Sequence, residues 1–192
     1  YTTLFRSEND GKQFSVGQDV HFCPGPVGGN EWNTPGYDPT TNLVISGTVD
    51  WCDTVRIQDD KKLADVAIGQ PFTGIAYLNP INMFGKESPI DSQWAGWVYA
   101  TDADTGLWKW RLRSNYSIMG AVTPTAGGLV FFGDMGGNFY ALDAATGQKL
   151  WGQKIGGAIG GGVITYAVNG AQKVAVATGY VSPAFPTEIR RA

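Results

Sequence analysis

The sequence is poor in metal-binding side chains and in positive charge. Its 192 residues include one histidine and two cysteines, and neither cysteine has the close partner of a zinc-ligand pair, which argues against a metal site. No Cys-x-x-Cys-His occurs, so the signature of attached haem is absent. Lys and Arg number 14 against 17 Asp and Glu, and no basic stripe gathers them, leaving no electrostatic footprint for nucleic acid. No apolar run approaches the roughly 20 residues of a membrane-spanning helix. What abounds is glycine, 27 residues, about twice the usual usage. The glycines fall between short β-forming stretches, which reads as an all-β chain with tight turns and not as low complexity.

The organising feature is a repeat. Gly96-Trp97-Val98-Tyr99-Ala100-Thr101-Asp102-Ala103-Asp104-Thr105-Gly106 with Trp110 returns as Gly137-Asn138-Phe139-Tyr140-Ala141-Leu142-Asp143-Ala144-Ala145-Thr146-Gly147 with Trp151, Asp to Asp and Trp to Trp both 41 apart. A period near 40 with aromatic and glycine markers predicts β-propeller blades, each a four-stranded sheet packed on its neighbours. Asp102 and Asp143 then serve as turn residues whose side chains bond nearby amides. Trp110 and Trp151 begin return strands, with rings flat between blades and each N–H needing a backbone acceptor.

Residues 1–19 show no sustained period. The run 1–7 also resembles a translated sequencing-adapter oligonucleotide, so an ordinary N-terminal strand and an artefact both stand for it. Order is expected over 20–192. The segment from Thr34 to Cys52 reads as part of an earlier, irregular blade, with Leu43-Val44-Ile45 a buried strand, and 53–71 as a solvated insertion. Ser117 to Asp134 supplies the first two strands of the blade that the second repeat completes. Asn169-Gly170 is the strongest hairpin signal and belongs to a further blade. About three blades result, fewer than the roughly four of a closed propeller, so the chain reads as a fragment. Cys23 and Cys52 permit a disulfide or stand as two buried thiols.

With those residues in view, the stretch from Val20 to Phe185 resembles the quinoprotein dehydrogenases of the methanol and ethanol family. The likeness rests on Cys-Pro-Gly-x-x-Gly-Gly-x-x-Trp-Asn (23–33), Asp-Trp-Cys (50–52), the doubled Ala-x-Asp-Ala-x-Thr-Gly-x-x-x-Trp, Thr-Ala-Gly-Gly-Leu-Val-Phe (125–131) and the closing Val-Ala-Val-Ala-x-Gly. It implies an eight-bladed propeller binding pyrroloquinoline quinone (PQQ), with Ca²⁺ as Lewis acid and an Asp as general base, oxidising an alcohol and passing electrons to a cytochrome in the periplasm. The family's calcium ligands, catalytic Asp, adjacent-cysteine disulfide and ring-stacking Trp match no residue of this chain, so the piece by itself is expected to be inactive.

What the resemblance does carry over is a secondary ring of quinone contacts. The family's Asn-Trp pair on the Gly-Gly loop aligns with Glu31-Trp32, so Trp32 matches while Glu31 departs, and Glu31 or Asn33 takes the polar role. For Trp32 the competing reading is a tryptophan packed between blades. A second family tryptophan falls at Ile118, leaving Met119 and Gly120 as lining candidates. A propeller of the same repeat class that acts as a bacterial envelope scaffold without catalysis is the rival for the whole chain.

Overall fold

A computed structural model describes residues 14–22, 29–30, 33–50, 53–70, 72–77 and 95–179. In chain order they form β1 (Asp19–Phe22), β2 (Gly36–Asp38), β3 (Leu43–Asp50), β4 (Asp53–Ile57), the short helix α1 (Asp60–Ala64), β5 (Ile75–Tyr77), β6 (Ala95–Asp102) and β7 (Trp108–Ser114). There follow β8 (Thr123–Pro124), β9 (Leu129–Gly133), β10 (Asn138–Asp143), β11 (Lys149–Lys154), β12 (Val163–Val168) and β13 (Ala171–Val176).

Two four-stranded antiparallel sheets have the same meander order, β2-β3-β6-β7 and β8-β9-β10-β11. Strands β12 and β13 form a third sheet, two-stranded among the described residues. These are propeller blades, as the repeat predicts. The segment 34–50, however, is no part of an earlier blade. Leu43 to Asp50 pairs residue for residue with Asp102 to Ala95, so β2 and β3 are the inner half of the first repeat's own sheet. The intervening chain is inserted between the second and third strands. Part of that insertion, β4 and β5, pairs with β1 in a small separate sheet. Helix α1 buries none of its residues, in keeping with the solvated insertion expected there.

The two blades share their details. Both bulge at the same place, between Ala100 and Thr101 and between Ala141 and Leu142. The extra residue precedes each tryptophan and re-aims the strand there. In each Asp-x-x-Thr-Gly turn the glycine takes positive φ, +71° at Gly106 and +72° at Gly147, a conformation that penalises any Cβ. Asp102 Oδ1 accepts from the Thr105 amide and hydroxyl, both at 2.9 Å, and Asp143 Oδ1 from those of Thr146, both at 2.8 Å.

Strand β3 alternates buried and half-exposed along its length, the period of a sheet with one face in a core. Leu43, Ile45, Val98 and Ala100 of the first blade meet Val130, Phe132, Leu142 and Ala144 of the second, with Ile118 and Val122 between. Trp110 spans the same boundary, its indole N–H donating to the Ala144 carbonyl at 3.0 Å. Its ring lies so near Gly147 that a Cβ there would approach to 2.6 Å. Trp151 is 45% exposed and meets Phe139 edge-on, centroids 6.1 Å apart. The turn on which it would dock by analogy is not among the described residues. Asn169 and Gly170 both take positive φ, at +50° and +76°, and close the β12–β13 hairpin with Val168 opposite Ala171, the type I′ geometry their pairing predicts.

The paired glycines give a test of what joins the blades. Gly106→Ala is expected to cost about 1 kcal/mol, the strain of a Cβ at positive φ. Nothing lies within 4 Å of that Cβ. Gly147→Ala has the same strain and must also displace Trp110, so its loss should be greater by about 1 kcal/mol or more. Equal shifts of the two urea midpoints would show that the indole does not hold the blades.

The turns also respond to acid. The Thr105 amide, then its hydroxyl and Lys109, hold the Asp102 carboxyl at about 2, and the Thr146 hydroxyl and amide lower that of Asp143. A folded-state pKa below the unfolded one gives stability that is present above the unfolded value and lost as pH falls through the folded value. For Asp102 this window runs from about 4 down to about 2. Carboxyl-carbon NMR should place its midpoint near the lower limit; a midpoint at the ordinary aspartate value would contradict the capping geometry.

Candidate functional site

A four-stranded meander puts alternate connections at opposite ends. One end of each blade carries the Asp-x-x-Thr-Gly turn together with the turn between its first two strands. In the second blade that latter turn is Thr-Ala-Gly-Gly, where the Thr125 amide and hydroxyl both bond the Leu129 carbonyl and Gly128 takes φ +79°. This motif therefore builds a hairpin and not the site. The opposite end gathers Gly29 and Asn30, residues 33–35 leading into β2, the 115–122 and 155–162 connections between blades, and the 134–137 turn. Of the residues singled out for the quinone, Asn33, Met119 and Gly120 lie on that end.

Hydrogen bonds sew these loops together. The Val49 amide donates to the Gly29 carbonyl at 2.8 Å, fastening the Gly-Gly loop to β3. Asn30 Nδ2 donates to the carbonyls of Gly47 at 2.9 Å and Asn33 at 3.2 Å. Asn33, only 4% exposed, donates its amide to the Gly47 carbonyl and, at 3.0 Å, to that of Ile118. Ile118 in turn donates its backbone N–H to the Thr48 carbonyl at 3.2 Å. The segment around Asn33 and the connection bearing Ile118, 85 positions apart, are thus directly bonded.

The named residues have different fates. Glu31 and Trp32 lie outside the described residues, as do Cys23 and Cys52. Asn33 is a clamp, its amide nitrogen committed to two carbonyls. Ile118 is fully buried in the core between blades and Met119 is 2% exposed. A Cβ at Gly120 would come within 2.9 Å of the Gly161 carbonyl, so glycine there permits close passage of the next connection. His21 Nδ1 lies 3.0 Å from Thr54 Oγ1 on the small sheet. Among the described residues no three His, Cys, Asp or Glu side chains cluster to hold a metal ion.

One polar residue of this end was not singled out by the sequence. Asp134 is completely buried, and its carboxylate accepts from the Asn138 amide and side chain, the Tyr140 hydroxyl and the Ser114 hydroxyl. Burial, and then the charge of Asp134, pushes the Tyr140 phenol well above its ordinary range. The only signal was an Asp between glycines ahead of the Phe-Tyr strand, a pattern that also suits a plain turn. Beside this group, between the two blades, a cleft of about 230 Å³ is lined by Leu112, Tyr116, Asn138, Tyr140 and Lys149 among others.

The described part of this end, glycine-rich loops held together by side-chain amides, suits one wall of a pocket for a planar, polar organic group. It does not fit the metal part of such a pocket, for want of a carboxylate cluster among the described residues. Nor is any described helix long and apolar enough to cross a membrane.

Comparison with known proteins bears on which group that is. A family model described as outer membrane protein assembly factor BamB matches residues 95–184. Lupanine 17-hydroxylase [cytochrome c] of a Pseudomonas species is 34% identical over 157 residues, 81% of this chain but 20% of the relative. Quinohemoprotein alcohol dehydrogenase of Comamonas testosteroni is 33% identical over 159 residues, 82% of this chain and 22% of the relative. Among solved structures, a europium-containing methanol dehydrogenase superposes with a TM-score of 0.72 at 29% identity, covering 86% of this chain and 27% of that one. The chain spans about a fifth to a quarter of the length of these relatives. Over most of its own length, in sequence and in the stacking of its blades, it matches a stretch of the quinoprotein alcohol and methanol dehydrogenase propeller.

Proposed function

We propose that this chain forms the C-terminal part of the propeller of a PQQ-dependent alcohol dehydrogenase and supplies one wall of its quinone pocket. The observation that carries this reading is the Asn33 clamp, which joins the two segments the resemblance assigns to the quinone. When bound, the quinone would accept a hydride from the alcohol carbon. In this chain Trp32 would supply a secondary contact to the quinone and Glu31 a polar neighbour, while Asn33 holds their segment to Gly47 and Ile118. Calcium or a larger cation and the catalytic base fall to other parts of the protein, so these residues alone would not catalyse. Two relatives whose names include cytochrome c or quinohemoprotein support a cytochrome as electron acceptor, and a periplasmic setting follows from that chemistry.

The scaffold reading has one observation in its favour, the match of 95–184 to an assembly-factor family. That stretch holds the two tryptophan repeats and the hairpin after them, and it leaves out the Gly-Gly loop. The tryptophan repeat serves any propeller of this class, whereas the loop is where the proposed function resides.

The protein encoded by the longer gene, with the sequence upstream of Val20, tests the proposal by titration with PQQ and Ca²⁺ and by dye-linked alcohol oxidation. Activity should require both. Trp32→Ala should weaken quinone binding about tenfold, equivalent to about 1.4 kcal/mol of lost contact. A well-folded protein that binds no quinone would overturn the proposal in favour of a scaffold. A periplasmic location also predicts a Cys23–Cys52 disulfide worth about 3–4 kcal/mol. Peptide mapping without reductant should find the linked pair, and two free thiols in protein recovered from the periplasm would contradict it.

A further inference from the structure

Asp134 is a buried acid that the quinone reading does not use. All its oxygen–donor contacts come from neutral groups: Ser114 of the first blade at 3.2 Å, the Asn138 amide at 3.0 Å, the Asn138 side chain at 3.0 Å, and Tyr140 at 3.0 Å. A carboxylate without exposed surface must have its lone pairs filled in this way, since each one left empty carries the full desolvation cost. Among the described residues these donors surround both oxygens, which places Asp134 to hold structure and not to meet a substrate.

What it reaches through the backbone is the loop end. Its own carbonyl accepts from Ile159 at 3.1 Å, in the connection between the second and third blades. Its neighbour Met135 donates to the Ser117 carbonyl at 3.0 Å, in the connection between the first and second. Ser117 adjoins Ile118, whose carbonyl receives Asn33. A buried side chain and two backbone bonds therefore tie both connections to the 134–137 turn, and the Trp32 loop hangs from the first of them.

We propose that Asp134 is a positioning residue for the loop end: its carboxylate fixes the 134–137 turn, which holds the 115–122 and 155–162 connections and, through Ile118, the Asn33 clamp. The inference rests on the quinone reading for what the loops hold, and on hydrogen bonds alone for how they are held. Asp134→Asn preserves size but turns an NH₂ toward donors, which opens the group from within. Tyr140→Phe and Ser114→Ala each remove a single donor.

The test uses the longer protein with two readouts, amide exchange at Met135 and Ile159, and PQQ affinity followed through the quinone's own absorbance. Asp134→Asn should speed exchange at both amides and weaken PQQ binding by about tenfold, the scale seen when the groups that orient binding residues are removed. Tyr140→Phe and Ser114→Ala should do the same to a lesser degree. A folded Asp134→Asn protein with a lower melting temperature but unchanged exchange and unchanged affinity would overturn the inference, since a merely structural acid affects only the melt. If Asp134→Asn does not fold, Tyr140→Phe decides by the same two readouts. If the unsubstituted protein binds no PQQ, the functional reading fails, and the positioning role stands or falls on exchange alone.

Discussion

The structure depends on an indole laid across a turn of the next blade. A twisted four-stranded sheet with one apolar face needs a neighbour at fixed distance and angle. Here the distance is set where Trp110 covers Gly147 and donates to Ala144. A side chain at Gly147 would push the ring away, and a residue other than glycine would strain at its φ of +72°. The bulge before Trp110 aims the ring and the Asp143 turn offers the carbonyl. Each part of the Asp-x-x-Thr-Gly-x-x-x-Trp pattern thus has a role at one joint.

Fixing that joint at one end of the blades fixes the other end too. Once β3, β6, β9 and β10 are stacked, the connections between blades must pass close together, and glycine at 96, 120, 136 and 137 allows it. A Cβ at Gly96 would stand 2.4 Å from the Tyr116 carbonyl and one at Gly137 2.3 Å from that of Gly156. The polar groups freed in these crowded loops find partners in Asn33 and Asp134, so close packing and polar satisfaction arrive together. This is a rigid frame on which a binding loop can be held, which is the property a cofactor wall requires.

Much of this was legible in the residues. The 41-residue offset gave the blades because it repeats a complete physical unit, strand, capped turn, bulge and indole, and Asn169-Gly170 gave its hairpin because few other pairs accept positive φ twice. The pairing of Leu43–Asp50 with Ala95–Asp102 was not legible, since more than forty residues of inserted chain separate the partners and strand pairing leaves no mark at that distance. Asn33 had been noted as a polar candidate beside Trp32, but its committed amide shows only when the Ile118 carbonyl is brought to it. Asp134 escaped notice because a buried acid and a turn acid look alike in one sequence, while burial depends on Ser114 and Tyr140 arriving from two different strands.

In the proposed function the Asn33 clamp presents Trp32 to the quinone. An experimental structure of the longer protein prepared with PQQ tests it most directly. The proposed function requires Trp32 in contact with the quinone, with Asn33 still bonded to the carbonyls of Gly47 and Ile118. Trp32 packed between two blades, with no quinone at the loop end, would contradict it.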